Sequence, residues 1–128
     1  DRVYGVAKLY DTRSGEDPLF PNSLLEDPSL KIIGDAGSEY GVTTGRRRKV
    51  NWLDLNKLIS AINVSGSTDV IINKCDILQD VGMFKLFYND DLLNFLSVED
   101  MTTFVEEKIK TICRFVSVVT FSYSPLFV

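Results

Sequence analysis

The chain has 128 residues, 45% hydrophobic, 25% charged and 11% aromatic, so a folded core is expected and disorder is not. Lys and Arg number 14 against 18 Asp and Glu, a formal net charge of −4, which argues against a dedicated nucleic-acid binder but leaves room for a local phosphate site. The sequence holds no histidine, which excludes within this chain a Ser-His-Asp triad, a Cys-His pair and a zinc site with imidazole ligands.

The length suits a single domain. Cys75 and Cys113 are too few for a zinc cage and are expected as reduced thiols in a cytoplasmic protein. No apolar run reaches the roughly 18 residues of a membrane span, and no charged-then-apolar leader is present, so no membrane partner is expected. The chain opens on Asp1 rather than Met, which suggests a fragment.

In chain order, Val3 to Tyr10 (VYGVAKLY) predicts a strand. Asp11 to Ser29, rich in Pro, Gly, Asp and Ser, predicts a long loop, a feature that is usually functional or disordered. The polar stretch from Lys31 to Lys49, punctuated by Gly34, Gly37, Gly41 and Gly45, fits neither a strand nor a helix. Asn51 to Asp54 opens a helix with Asp54 as N-cap, and Leu55, Leu58, Ile59 and Ile62 keep helical spacing up to a stop at Gly66. Thr68 to Asn73 and Met83 to Tyr88 predict strands, and Asp90 to Asp100 a mixed connection. Met101 to Arg114 predicts an amphipathic helix, and Phe115 to Phe121 a last, core strand. Alternating strands and helices imply an α/β fold, a partly parallel sheet with flanking helices.

Two segments carry chemistry. Asn73-Lys74-Cys75-Asp76 follows a predicted strand, where α/β sheets place ligand groups. An ionised Asp there accepts two parallel hydrogen bonds from guanine N1–H and its exocyclic amine, a pair that adenine cannot donate. The Lys stem lies along a purine face while its ammonium stays wet. The plain alternative is a polar turn. Thr43-Thr44-Gly45-Arg46-Arg47-Arg48 combines a glycine, hydroxyls and guanidiniums, which suits an anionic ligand; its alternative is a solvated basic turn. The pairs Asp90/Asp91 and Glu106/Glu107 read as solvated faces rather than acid–base pairs.

Taken together, GVAKLYDTRSGEDPLFP, EYGVTTGRRRKVNWLDL and TDVIINKCDIL closely resemble the C-terminal portion of the adenylosuccinate synthetase family, a P-loop-like, GTP-dependent ligase. That family joins IMP to L-aspartate in purine biosynthesis, using GTP and magnesium and passing through 6-phosphoryl-IMP. The resemblance implies that Val42, Thr43, Thr44, Gly45 and Arg46 form a mobile loop holding aspartate, with Ser14 and Gly15 at the IMP ribose. It implies that Arg48 reaches the GTP phosphates, that Lys74 and Asp76 read guanine, and that Ser122 and Ser124 rim the base. Ser124 stands where the family has Gly, Ser14 where it has Val, and the connection from Tyr88 to Met101 is short.

The resemblance further implies a homodimeric parent enzyme. The family's phosphate loop, magnesium-binding Asp and general-acid His have no counterpart in this sequence, so no catalytic or metal-binding residue is expected in the segment, and none of the ligase activity. Two other readings stay open. One is a guanine-nucleotide-binding module without catalysis; the other is a compact viral- or archaeal-type relative using another purine nucleotide. A basic-loop domain that retains RNA in a salt-sensitive way is the third class, disfavoured by the acidic remainder.

Overall fold

A computed structural model of the protein describes residues 2–13, 17, 20–39 and 47–123. The fold is α/β, as the alternation implied. A three-stranded sheet in the order β1-β4-β7 is formed by β1 (Tyr4–Lys8), β4 (Asp69–Asn73) and β7 (Val118–Phe121), and both of its pairings are parallel. A four-stranded mixed sheet in the order β2-β3-β5-β6 is formed by β2 (Tyr10–Arg13), β3 (Lys49–Asp54), β5 (Lys85–Tyr88) and β6 (Asp91–Asn94). The helices are α1 (Pro28–Ala36), α2 (Leu55–Ser65), α3 (Cys75–Val81) and α4 (Val98–Ile112). None is long and apolar enough to cross a membrane.

The predicted first strand is in fact two. Lys8 closes β1 and Tyr10 opens β2, and the fully buried Leu9 between them is where the chain passes from one sheet to the other. The predicted loop from Asp11 to Ser29 is shorter than expected, because β2 takes its start and a 3-10 turn covers Asn22–Glu26.

The largest correction is α1, in a region with no evident helical pattern. Asp27 caps it, its carboxylate accepting the N–H of Ser29 at 2.9 Å and of Leu30 at 3.3 Å, with Pro28 in the first turn. Cap and proline together are a helix start, and Leu30, Ile33 and Gly34 form the buried stripe.

Residues 49–54 form a strand rather than the opening of a helix, although Asp54 does cap α2, accepting the Lys57 N–H at 3.2 Å. The expected connection after Asp90 holds β6, joined to β5 by a turn in which Asn89 and Asp90 have φ of 51° and 67°. Two such positive values make the tight hairpin turn that matches strand twist. At the last strand, Val116 is buried but Phe115 and Val118 are exposed, so its core assignment holds only in part. Both sheets share one core, in which Ile33, Leu53, Leu55, Ile72, Leu78, Leu86, Met101 and Ile109 are all buried.

Candidate functional site at the carboxyl ends of the parallel strands

Strands β1, β4 and β7 end together at Lys8, Asn73 and Phe121, the edge where open α/β sheets bind ligands. Backbone hydrogen bonds lace this edge. Leu9 N–H donates to the Asn73 carbonyl at 3.1 Å, Ser122 N–H to the Ile72 carbonyl at 2.8 Å, and Cys75 N–H to the Ser122 carbonyl at 3.2 Å.

A single residue, Lys74, turns the chain from β4 into α3, with φ 66° and ψ 18°. That left-handed conformation is costly for a residue with a Cβ, and such strain collects at functional sites. The expected polar turn is therefore one residue long, and Asp76 lies in the first turn of α3. Lys74 and Asp76 are half-buried, and neither side chain makes a hydrogen bond or ion pair among the described residues. Among the described residues, the buried Asn73 Oδ1 atom also has no hydrogen-bond partner.

Glu39 approaches this edge from the end of α1 and is only 2% exposed. Its carboxylate accepts from Tyr10 Oη at 2.6 Å, Lys8 Nζ at 3.2 Å and Arg48 Nη1 at 3.3 Å. Burial would raise its pKa, but the Tyr10 hydrogen bond, the Lys8 charge and bond, and the Lys74 charge outweigh it and hold the carboxyl below its ordinary value. Burial first, then the Glu39 hydrogen bond and charge and the Asp76 charge, push the Tyr10 phenol up. Lys74 and Asp76 thus share one electrostatic neighbourhood with Glu39, Tyr10 and Lys8.

Glu39, Arg47 and Arg48, which flank positions 40–46, are held by hydrogen bonds. Arg48 N–H donates to the Glu39 carbonyl at 2.9 Å, and Arg47 donates to the Lys31 carbonyl at 2.9 Å and to Asp35 Oδ1 at 2.6 Å. Of the residues singled out from sequence, Arg48, Lys74, Asp76 and Ser122 converge on this edge. Ser14, Gly15, Val42, Thr43, Thr44, Gly45, Arg46 and Ser124 lie outside the described residues. Glu39, Lys8 and Tyr10 were not anticipated, although Glu39 opens the EYGVTTGRRR text and an acid beside a basic turn is a signal.

A cavity of about 260 Å³ lies elsewhere, lined by Asp11, Trp52, Asp54, Lys57, Phe87 and Asp90 among others, and holds none of the expected residues. Glu106 pairs with Lys110 at 2.9 Å, while Glu107, Asp90 and Asp91 are exposed. Cys75 and Cys113 are free and buried. Among the described residues no group of three or more His, Cys, Asp or Glu could hold a metal.

These features define an α/β protein with a charged candidate site at the carboxyl ends of a parallel sheet. The family model for adenylosuccinate synthetase matches residues 1–116, and the chain belongs to that family. Among curated relatives, the adenylosuccinate synthetase of Methanococcoides burtonii is 44% identical over 92 residues, 72% of this chain and 21% of that protein. The enzyme of Deinococcus radiodurans is 48% identical over 80 residues, 60% of this chain and 20% of that protein. The chain thus spans about a fifth of the length of these relatives. A solved structure, the fully ligated adenylosuccinate synthetase from Plasmodium falciparum, shares the fold with a TM-score of 0.69 at 22% identity, covering 98% of this chain and 38% of that one.

Proposed function

We propose that this chain is the part of an adenylosuccinate synthetase that reads the guanine of GTP and holds L-aspartate for ligation to IMP. The observation that carries the reading is the pair of half-buried side chains, Lys74 and Asp76, left without hydrogen-bond or ion-pair partners among the described residues at the end of a parallel sheet. A carboxylate in that position accepts the two N–H groups of a guanine edge, and the wrong base leaves it unpaired. Ser122 and Ser124 rim the same base.

Arg48 has five N–H donors, of which one points to Glu39, and the others suit the phosphates of GTP. Residues Val42 to Arg46 hold aspartate, Arg46 pairing with a carboxylate and the backbone at Gly45 coming close to it. Ser14 and Gly15 line the IMP ribose. Holding the aspartate amine against the purine supplies rate by orientation, because a bimolecular encounter becomes a bound geometry. Magnesium, which neutralises developing phosphate charge when bound, is held outside this segment.

The reading is tested on the full-length protein that carries this segment, by phosphate release from GTP in the presence of IMP and aspartate. The full-length protein turns over, Arg46→Leu raises the KM for aspartate sharply, and the 128-residue chain alone releases no phosphate. A full-length protein without turnover contradicts the reading; phosphate release by the isolated chain contradicts its assigned inactivity.

A further inference from the structure

We propose that the cavity lined by Asp11, Trp52 and Asp54 is a binding site for a free α-amino acid with an apolar side chain. Its lining residues include none of those assigned to guanine, aspartate, IMP or the GTP phosphates, so the inference stands apart from the reading above. The volume of about 260 Å³ falls below the roughly 300–1,000 Å³ of sites for drug-sized ligands and suits a molecule of amino-acid size.

The cavity offers acceptors for an ammonium. Asp11, half-buried, accepts the Asp54 N–H on Oδ2 at 3.3 Å, and its Oδ1 has no partner among the described residues. Asp54 accepts the Lys57 N–H on Oδ1 at 3.2 Å, and its Oδ2 is likewise left open among those residues. Burial, opposed by the Asp54 N–H and the Lys57 charge, holds the Asp11 carboxyl above its ordinary value, so its counter-charge within the chain is incomplete. An arriving ammonium supplies that charge and donates to both carboxylates.

The same cavity offers donors for a carboxylate. Trp52 is only 7% exposed, and its indole N–H makes no hydrogen bond among the described residues, although a buried indole ordinarily finds an acceptor. The ammonium of Lys57, an exposed residue in the first turn of α2, makes neither a hydrogen bond nor an ion pair among them. Phe20 and Phe87 give the apolar wall on which a side chain packs. A bare amine leaves the indole N–H unpaired, and a bare acid meets two carboxylates; a zwitterion answers both. A second carboxylate in the side chain meets Asp90, which also lines the cavity, so aspartate is disfavoured.

Isothermal titration of the full-length protein tests this with L-leucine and L-phenylalanine. The same amino acids without the carboxylate (isoamylamine, phenethylamine) or without the ammonium (isocaproate, hydrocinnamate) serve as probes of each charge. At least one amino acid binds, and its two single-charge analogues bind about tenfold or more weakly, as the loss of charge-assisted hydrogen bonds implies. Excess L-aspartate leaves the binding in place, which separates this site from the one proposed for aspartate. Asp11→Asn keeps an acceptor for the Asp54 N–H, removes the charge, and weakens binding by about tenfold or more. Should Asp11→Asn fail to fold, Lys57→Met, a change at an exposed residue, weakens binding by a smaller factor.

The inference is overturned, and the functional reading spared, if neither amino acid binds at millimolar concentration or a single-charge analogue binds as tightly as its parent. Displacement by L-aspartate does the same, as does unchanged affinity in Asp11→Asn, or in Lys57→Met in its place. A full-length protein that binds the amino acid but shows no ligase turnover overturns the functional reading alone.

Discussion

The Cys75 backbone N–H donates to the Ser122 carbonyl at 3.2 Å, so the first turn of α3 hangs from the end of β7. The link brackets Lys74 between two fixed points, Asn73 at the end of β4 and Cys75 at the start of α3. The left-handed backbone of Lys74 is held there by its surroundings rather than by its own preference.

Stability and binding consequently separate at position 74. Lys74→Gly removes about 1–2 kcal/mol of left-handed strain and adds about 0.5–1 kcal/mol of chain entropy to lose, so the unfolding free energy stays level or rises slightly. On the proposed reading, guanine-nucleotide affinity is expected to fall, because the Lys74 stem and ammonium assigned to the base are gone. Lys74→Ala keeps the strain and loses the same affinity. Denaturant unfolding and nucleotide titration of both variants check this.

Position 37 is a packing constraint. A Cβ on Gly37 would overlap the Tyr10 hydroxyl, which must stay free to reach Glu39. Gly37→Ala is expected to destabilise by about 1–3 kcal/mol, the usual cost of overpacking. In Tyr10→Phe the overlapping oxygen is gone, so Gly37→Ala costs less there. A double-mutant cycle in urea reads the difference.

Acid stability follows from two carboxyls shifted in opposite directions. Glu39 has a depressed folded pKa, so it contributes stability above the ordinary carboxylate value and loses it as pH falls through the folded one. Asp11 is raised, mainly by burial, against the hydrogen bond it accepts from the Asp54 N–H. Its contribution is present below the ordinary value and lost as pH rises through the folded one. Unfolding free energy measured from mildly acidic pH downward is expected to fall less steeply in Glu39→Gln than in the parent. Asp11→Asn, which keeps an acceptor for Asp54, is expected to gain stability near neutral pH.

The two thiols are expected to be inert in the folded protein. Cys75 and Cys113 are fully buried, and burial, aided by the neighbouring Asp76 charge, pushes the Cys75 thiol up to about 12. The thiolate is the reactive form, so labelling at neutral pH proceeds at the rate of opening. Alkylation with and without denaturant, read by mass spectrometry, distinguishes this from a reactive cysteine.

What the sequence revealed and what it hid have physical causes. The apolar runs of β4 and β5 and the amphipathic stripe of α4 are set by local spacing, and they stand within a few residues of where they were expected. Helix α1 leaves little apolar pattern in the sequence because its buried stripe includes Gly34, which lets the helix sit close to Val50 and the Arg47 side chain. The split at Leu9 is a tertiary event, a change of sheet with no mark in the local text. The Lys74 and Asp76 pair is legible as a proposal only, because its chemistry depends on residue type and spacing. Glu39 is not, because its meaning arises only when Lys8, Tyr10 and Arg48 are folded around it.

The functional reading proposed for this chain turns on the carboxylate of Asp76 meeting guanine. Asp76→Asn, made in the full-length enzyme, replaces a double acceptor with an amide that offers one acceptor and one donor group. Ligase rates are measured with GTP, ITP and XTP as alternative phosphate donors. GTP is expected to lose its preference, with XTP, whose 2-oxo group accepts the new donor, gaining on it. Unchanged preference for GTP over ITP and XTP contradicts the assignment of the site.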